Sequence, residues 1–258
     1  MAEEINYHKR PEWSYSSMKK IIDSGIDYAV AAKRGDLGEP SSSAIDLGQL
    51  AHMLVLGGED TFAITPYPDF RTKVAREWRD EQIAAGKNII TDSQFKAVDS
   101  MVKNIESHPL TPELLLGEGW KHEVEMYAST AEGVALRGKA DALKVVPGKS
   151  LITTDIKTTA KFDDFKKKSS WNHYDLQAAN YNLIGASSQG IDPGLCNFYF
   201  CVVETVAPYR VQYFHSSLEF LEAGERKLRT CIDAIVAFGD KEPSFLITEI
   251  GELGDWSI

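Results

Sequence analysis

Apolar residues recur with a helical period through roughly the first 110 residues and with a strand period from Lys121 onward. Met18, Ile21, Ile22 and Ala29 predict a helix from Trp13 to Ala32, with Ser14 or Ser16 as its N-cap. Gly35 to Ser43 is expected to be a loop. Asp46 then caps a short helix, Leu47 to Leu56, which ends at Gly57 and Gly58. Arg71 to Ala85 is a polar helix closed by Gly86. Thr91 and Gln94 form a capping box for a helix that runs to Ser107 and stops at Pro109. Lys121 to Ser129 alternates as a strand. Val134 to Val146 and Ser150 to Thr158 follow as two more, turning at Pro147-Gly148. Trp171 to Ser187 is a helix rich in Ala, Asn and Gln. Leu195 to Glu204 is an apolar strand, paired with Val206 to His215 across the Ala207-Pro208 bend. Phe220 to Phe238 is a long amphipathic helix. This order predicts an α/β sheet with helices on both faces and a helical N-terminal part.

The second and third strands carry the chemistry. In a hairpin centred on Gly148, Asp141 lies opposite Asp155, and Lys139 opposite Lys157. Alternation then puts all four on one face. Directly opposed Cβ atoms are about 4.5–5.5 Å apart. Two carboxylates that close repel unless a cation or proton lies between them. A divalent metal with a lysine beside it resolves the conflict and forms a phosphodiester-cutting site. The other face, Ala140, Ala142, Ile152 and Ile156, is apolar and expected to pack under a helix. A solvated charged hairpin is the plain alternative. The mirrored register of four charges sets this one apart.

Further candidates lie on neighbouring elements. Glu123 or Glu125 could add a third carboxylate from the preceding strand. His52 follows Gly48 by one helical turn, where another segment can approach closely. Gln177 and Tyr181 form an i, i+4 pair on the helix after the hairpin. Two basic stretches, Arg71–Lys73–Arg76–Arg79 and Lys161 with Lys166-Lys167-Lys168, are either solvated helix faces or nucleic-acid contacts.

Composition narrows the classes. With 258 residues and 43% hydrophobic content, one sizeable core is expected. The whole chain reads as a single domain, mainly helical over 1–110 and sheet-forming over 120–240. No apolar run approaches the roughly 20 residues of a membrane helix. The N-terminus lacks the pattern of a secretory signal. Cys196, Cys201 and Cys231 lack CxxC spacing, which suits buried thiols in a reducing cytoplasm and argues against an iron–sulfur cluster. The net charge of −10 is awkward for nucleic-acid binding unless a basic groove is segregated from an acidic exterior.

Taken together, Gly48-x-x-x-His52, Glu123, Arg137-Gly-Lys-Ala-Asp141, Asp155-Ile-Lys157 and Gln177-x-x-x-Tyr181 resemble the PD-(D/E)XK nuclease superfamily in motif order. More narrowly they resemble the phage RecE (exonuclease VIII) type, related to RecB-type and lambda exonucleases. Ser16-Ser17 before a helix, and Val203-Glu204 before Pro208-Tyr209-Arg-Val, look similar to that type as well. The resemblance spans roughly residues 12–240. It departs from the superfamily name at Lys139-Ala140, where a proline would precede the aspartate.

The resemblance implies a restriction-endonuclease-like mixed sheet flanked by helices, with an N-terminal helical elaboration. It implies that Asp141, Asp155 and the Ile156 carbonyl hold Mg2+ (or Mn2+), with His52 completing or adjoining the shell. Lys157 would orient or deprotonate water. Glu123, favoured over Glu125, would act at a second metal or through water. Gln177 would hold Lys157 or a terminal phosphate, and Tyr181 would support its helix. Ser17, Lys19, Lys139, Lys166 and Lys167 are the candidate DNA contacts, with Ser17, Lys19 and Gln177 expected around a 5′-phosphate. The implied activity is 5′→3′ digestion of linear double-stranded DNA by a homo-oligomeric ring, a trimer or tetramer. The 3′ single strand would pass to a RecT-type single-strand annealing protein. A RecB-type or endonucleolytic enzyme and a catalytically silent DNA-binding module stay open as alternatives.

Overall fold

The computed structural model describes residues 7, 10–37, 47–57, 62–146 and 148–245. In chain order the elements are α1 (Tyr15–Ser24), α2 (Ile26–Arg34), α3 (Leu47–Leu56), β1 (Phe62–Ile64), α4 (Lys73–Ala84), β2 (Asn88–Ile90), α5 (Asp92–Ser107) and α6 (Thr111–Leu114). Then come β3 (Lys121–Ser129), β4 (Ala135–Val146), β5 (Ser150–Thr159), α7 (Phe162–Trp171), α8 (Tyr174–Gln189), β6 (Cys196–Glu204), β7 (Val211–His215) and α9 (Leu218–Phe238).

Five strands form one sheet in the order β3-β4-β5-β6-β7. All neighbours are antiparallel except β5 and β6, which are parallel and joined through α7 and α8. Helices cover both faces, so the fold class is the expected one. One face packs Leu143, Leu151, Phe198, Phe200 and Val202 against α1, α8 and α9. The other packs Ala142, Ile156, Cys201 and Val203 against α3 and α5. β6 is apolar nearly throughout because both its faces are buried. The three cysteines are buried and free. Among the described residues no helix is long and apolar enough to cross a membrane.

Several boundaries differ from the sequence reading. The helix expected over Trp13–Ala32 is two, because Gly25 at φ +87° ends α1 and begins α2. Ser14 is the N-cap, in a capping box with Ser17. A separate α7 precedes α8, where a single helix from Trp171 was expected. His173 in a left-handed conformation (φ 54°) divides them. The periodicity missed α7 because Phe162 and Phe165 are almost its only apolar residues; acidic Asp163 and Asp164 favour its first turn. A small parallel pair, β1 with β2, was also unforeseen. Asp46, Gly58 and Pro147 lie outside the described residues.

α8 is the central buried helix, set between the sheet and α9. Gly224 of α9 meets the Asp175 carbonyl so closely that an added Cβ would overlap it. Backbone cannot yield there as a flexible side chain could. Gly224→Ala should therefore destabilise the fold by about 1–3 kcal/mol through overpacking, read as a lower denaturation midpoint. An unchanged midpoint would mean that this helix contact is looser than described.

Candidate active site

The site forms where β4 leaves β5. Their ladder runs from Val146↔Ser150 to Ala142↔Thr154, the register expected from a centre at Gly148, and stops there. β5 continues beside β6 as far as Thr159↔Glu204. β4 instead gains Trp13 as a neighbour, through Trp13 N–H to the Ala135 carbonyl (2.8 Å) and Arg137 N–H to the Trp13 carbonyl (2.9 Å). At the fork the Ile156 N–H has lost its strand partner. It donates to Asp141 Oδ2 at 2.7 Å, so a side chain takes the place of the ladder. The separation also means that Lys139 does not face Lys157. Lys139 pairs in register with Glu125 of β3.

The same level of the sheet is interrupted on its other side. β3 pairs with β4 at His122↔Ala142 and Val124↔Ala140, but not between them, where Glu123 meets Asp141. Glu123 has φ 55°, a conformation that costs a glutamate of order 1–3 kcal/mol. Alternation therefore breaks here. Ala140 packs in the first core and Ala142 in the second, while Ile152 is only half-buried, so the apolar face expected for the hairpin is not continuous.

His52 arrives from α3. Its Nε2 lies 2.9 Å from Asp141 Oδ1 and 3.3 Å from Glu123 Oε1. One ligand atom from each of the three residues falls within 4.8 Å of the others, a donor set of one imidazole and two carboxylates that suits a divalent ion. Lys139 forms an ion pair with the other Glu123 oxygen. Glu125 points elsewhere and accepts from the Tyr127 hydroxyl at 2.5 Å.

Asp155 lies behind this cluster, with a side chain only 5% exposed. Lys157 Nζ sits 2.6 Å from Asp155 Oδ2. Gln177 of α8 donates to Asp155 Oδ1 at 2.6 Å. Gln177 thus holds the aspartate, where it was expected to hold Lys157 or a phosphate. Tyr181 donates to the Lys139 carbonyl at 3.1 Å, its ring accommodated by Gly138. Tyr174, on the first turn of α8 and not among the expected site residues, lies with its ring 4.8 Å from Lys157 Nζ. It lines an open cavity of about 400 Å3 with Gly48, Gln49, His52, Ile156 and Lys157. Ile156 therefore contributes its amide to Asp141 and part of this wall.

The electrostatics follow from three carboxylates in a half-closed site. Burial and the Asp141 charge push Asp155 up to about 6, against the pull of Lys157. Burial opposes charge on Lys157, but Asp155 and Asp141 outweigh it and raise its pKa. Burial likewise opposes the His52 imidazolium, and the hydrogen bond and charge of Asp141, with Glu123, raise it above its ordinary range.

The remaining candidates lie apart. The Ser17 hydroxyl is occupied with Ser14, accepting from its N–H at 2.8 Å, and Lys19 donates to Asn172 at 3.3 Å. The cavity that Ser17 lines includes neither Lys19 nor Gln177. Lys166 and Lys167 are exposed on α7, with Lys166 6.0 Å from the Phe214 ring. The basic stretch on α4 is partly neutralised by Lys73–Glu77 and Arg79–Asp80 pairs.

A forked mixed sheet with acids at the fork and Asp155-Ile156-Lys157 on its inner strand defines a member of the PD-(D/E)XK nuclease superfamily. The chain belongs to the family described as "PDDEXK-like domain of unknown function (DUF3799)", whose model matches residues 14–244. The crystal structure of a candidate exonuclease from Eubacterium rectale shares the fold, with a TM-score of 0.57 at 14% identity over 91% of this chain and 87% of that chain. The crystal structure of SSO0001 aligns over 75% of this chain and 87% of that one at 13% identity, but its TM-score of 0.32 is too low to build on. No curated protein sequence matches the chain.

The raised pKa values set a pH signature. A carboxyl moved from 3.8 to about 6 by folding stabilises the metal-free protein below its unfolded value and loses that contribution as pH rises through 6. His52, also raised, acts in the same direction. A divalent ion held by His52, Glu123 and Asp141 would displace the His52 proton and disfavour the one on Asp155 behind them, so it should stabilise the protein little at about pH 5 and much more at about pH 8. Thermal melts with Mg2+ and with chelator at both values test this. A metal-induced shift that does not grow with pH would contradict the assignment.

Proposed function

We propose that this protein is a metal-dependent nuclease that hydrolyses phosphodiester bonds at the β4–β5 fork. The observation that carries the reading is the cluster of His52, Glu123 and Asp141 beside the Asp155–Lys157 pair. A divalent ion held there supplies Lewis acidity, which acidifies water and draws charge from the phosphoryl oxygens. Asp141 is oriented for this by the Ile156 amide, and Asp155 by Gln177. Lys157 stays an ammonium under the field of Asp155 and Asp141. Its part is to orient the attacking water and offset charge on the pentavalent transition state. Tyr174 fixes the Lys157 head from one side, and Tyr181 fixes β4 through the Lys139 carbonyl.

Within that class we favour a Mg2+-dependent exonuclease that acts on linear duplex DNA from 5′ ends. The RecE-like order of motifs supports this, as does the likeness in fold to a candidate exonuclease. The whole chain would act as one nuclease domain, in a homo-oligomeric ring that keeps an acidic protein on its substrate. The 3′ strands would pass to a RecT-type annealing protein. A cytoplasmic setting agrees with the three free thiols.

Two experiments test this. Asp141→Asn and Asp155→Asn should each abolish cleavage with DNA binding retained, and Lys157→Ala should slow turnover by roughly 10²–10³-fold. Parental rates in Asp155→Asn would sink the site. Digestion of linear duplex labelled separately at each end should release 5′ label first, need Mg2+ and spare closed circles. Early 3′ release or equal attack on circles would leave a nuclease of another kind.

A further inference from the structure

A cavity larger than the one at the fork lies elsewhere in the described residues. It has a volume of about 780 Å3 and is enclosed by α1, α2, the end of α9 and the segment before α1. Arg10, Lys20, Lys33, Arg34 and Arg137 line it, with Asp240 the sole lining carboxylate among the described residues and Arg34 paired with Glu242. These cations are scattered along the sequence, so no basic run announces them. In a chain of net charge −10 their convergence is unusual. They also crowd one another. Burial and the Arg137 charge push the Lys33 ammonium below its ordinary value, with Glu12 a lesser counterweight. Arg10 Nε is buried without an acceptor among the described residues. Like charges gathered in a cavity are relieved by an anion.

β4 connects this cavity to the fork. Arg137, Lys139 and Asp141 occupy alternate positions on that strand, which places Arg137 about 13 Å from Asp141 at strand rise. A few nucleotides of one strand span that distance. We propose that this cavity binds backbone phosphates of the nucleic-acid strand whose scissile bond lies at the metal cluster, an inference that rests on the nuclease reading above. The site is sequence-neutral, since guanidinium and ammonium groups recognise phosphate and no base edge. It would hold the strand in register while the fork does the chemistry.

The test uses the full chain and a short fluorescent duplex with one single-stranded tail. Arg10→Gln/Lys20→Gln removes two cations outside the catalytic machinery. Anisotropy in calcium reads binding, and initial rates in magnesium read turnover. The double variant should bind about 10-fold more weakly, and its salt dependence should lose about two phosphate contacts. KM should rise with kcat unchanged. Lys20→Glu alone, at an exposed position, repeats the test if the double variant melts early. If the parent cleaves and these variants match it in affinity and salt slope, the cavity inference fails and the nuclease reading stands. If the parent neither binds nor cleaves DNA or RNA, both fail together.

Discussion

The site depends on the hydrogen bond from the Ile156 amide to the Asp141 carboxylate. Two strands can part only if the backbone groups they release find other partners. Here the first amide past the end of the ladder is taken by Asp141 itself. One oxygen of that carboxylate is thereby fixed to the sheet, and the other is presented to His52. The residue that stabilises the fork is thus also the one that points into it. Its geometry is set by backbone, which is stiffer than any side-chain support.

The second constraint is charge. Glu123, Asp141 and Asp155 come together in a partly buried space. The protein offsets them with Lys139 on Glu123, His52 between Glu123 and Asp141, and Lys157 on Asp155. Each acid therefore has a nearby basic group even without a metal. On the proposed metal-dependent reading, binding of a divalent ion would be an exchange of partners, in which His52 gives up its carboxylate neighbours to serve as a neutral ligand. Such an exchange would let one arrangement of side chains fold alone and still receive a dication.

Much of this was legible in the sequence. A turn at Gly148 predicted the observed register as far as Ala142↔Thr154, because hairpin pairing follows from counting outward from the turn, while the mirrored Asp and Lys positions lie beyond the ladder. His52, Gln177 and Tyr181 converge on the hairpin as their order along the chain suggested. The fork itself was not legible. Counting presumes that the ladder continues, whereas Trp13, distant in sequence, competes for the edge of β4. The left-handed backbone of Glu123 and His173 was equally hidden, since glutamate seldom adopts that conformation and the enrichment of histidine there is too weak to mark one position. Tyr174 lay within the expected helix, three residues before Gln177, but a tyrosine on a largely buried helix gives no sign that it will meet a lysine.

The burial of α8 has a consequence for how the site fluctuates. Eleven of its 16 residues are buried, among them Gln177 and Tyr181. Such a helix cannot fray inward without opening the packing against both the sheet and α9. Its central amides therefore exchange with solvent only through openings close to global unfolding in free energy. The wall that orients Asp155 is therefore expected in the most slowly exchanging part of the molecule. The precision of Asp155 and the cooperativity of the whole fold are then one property, and a change that softens either will soften the other.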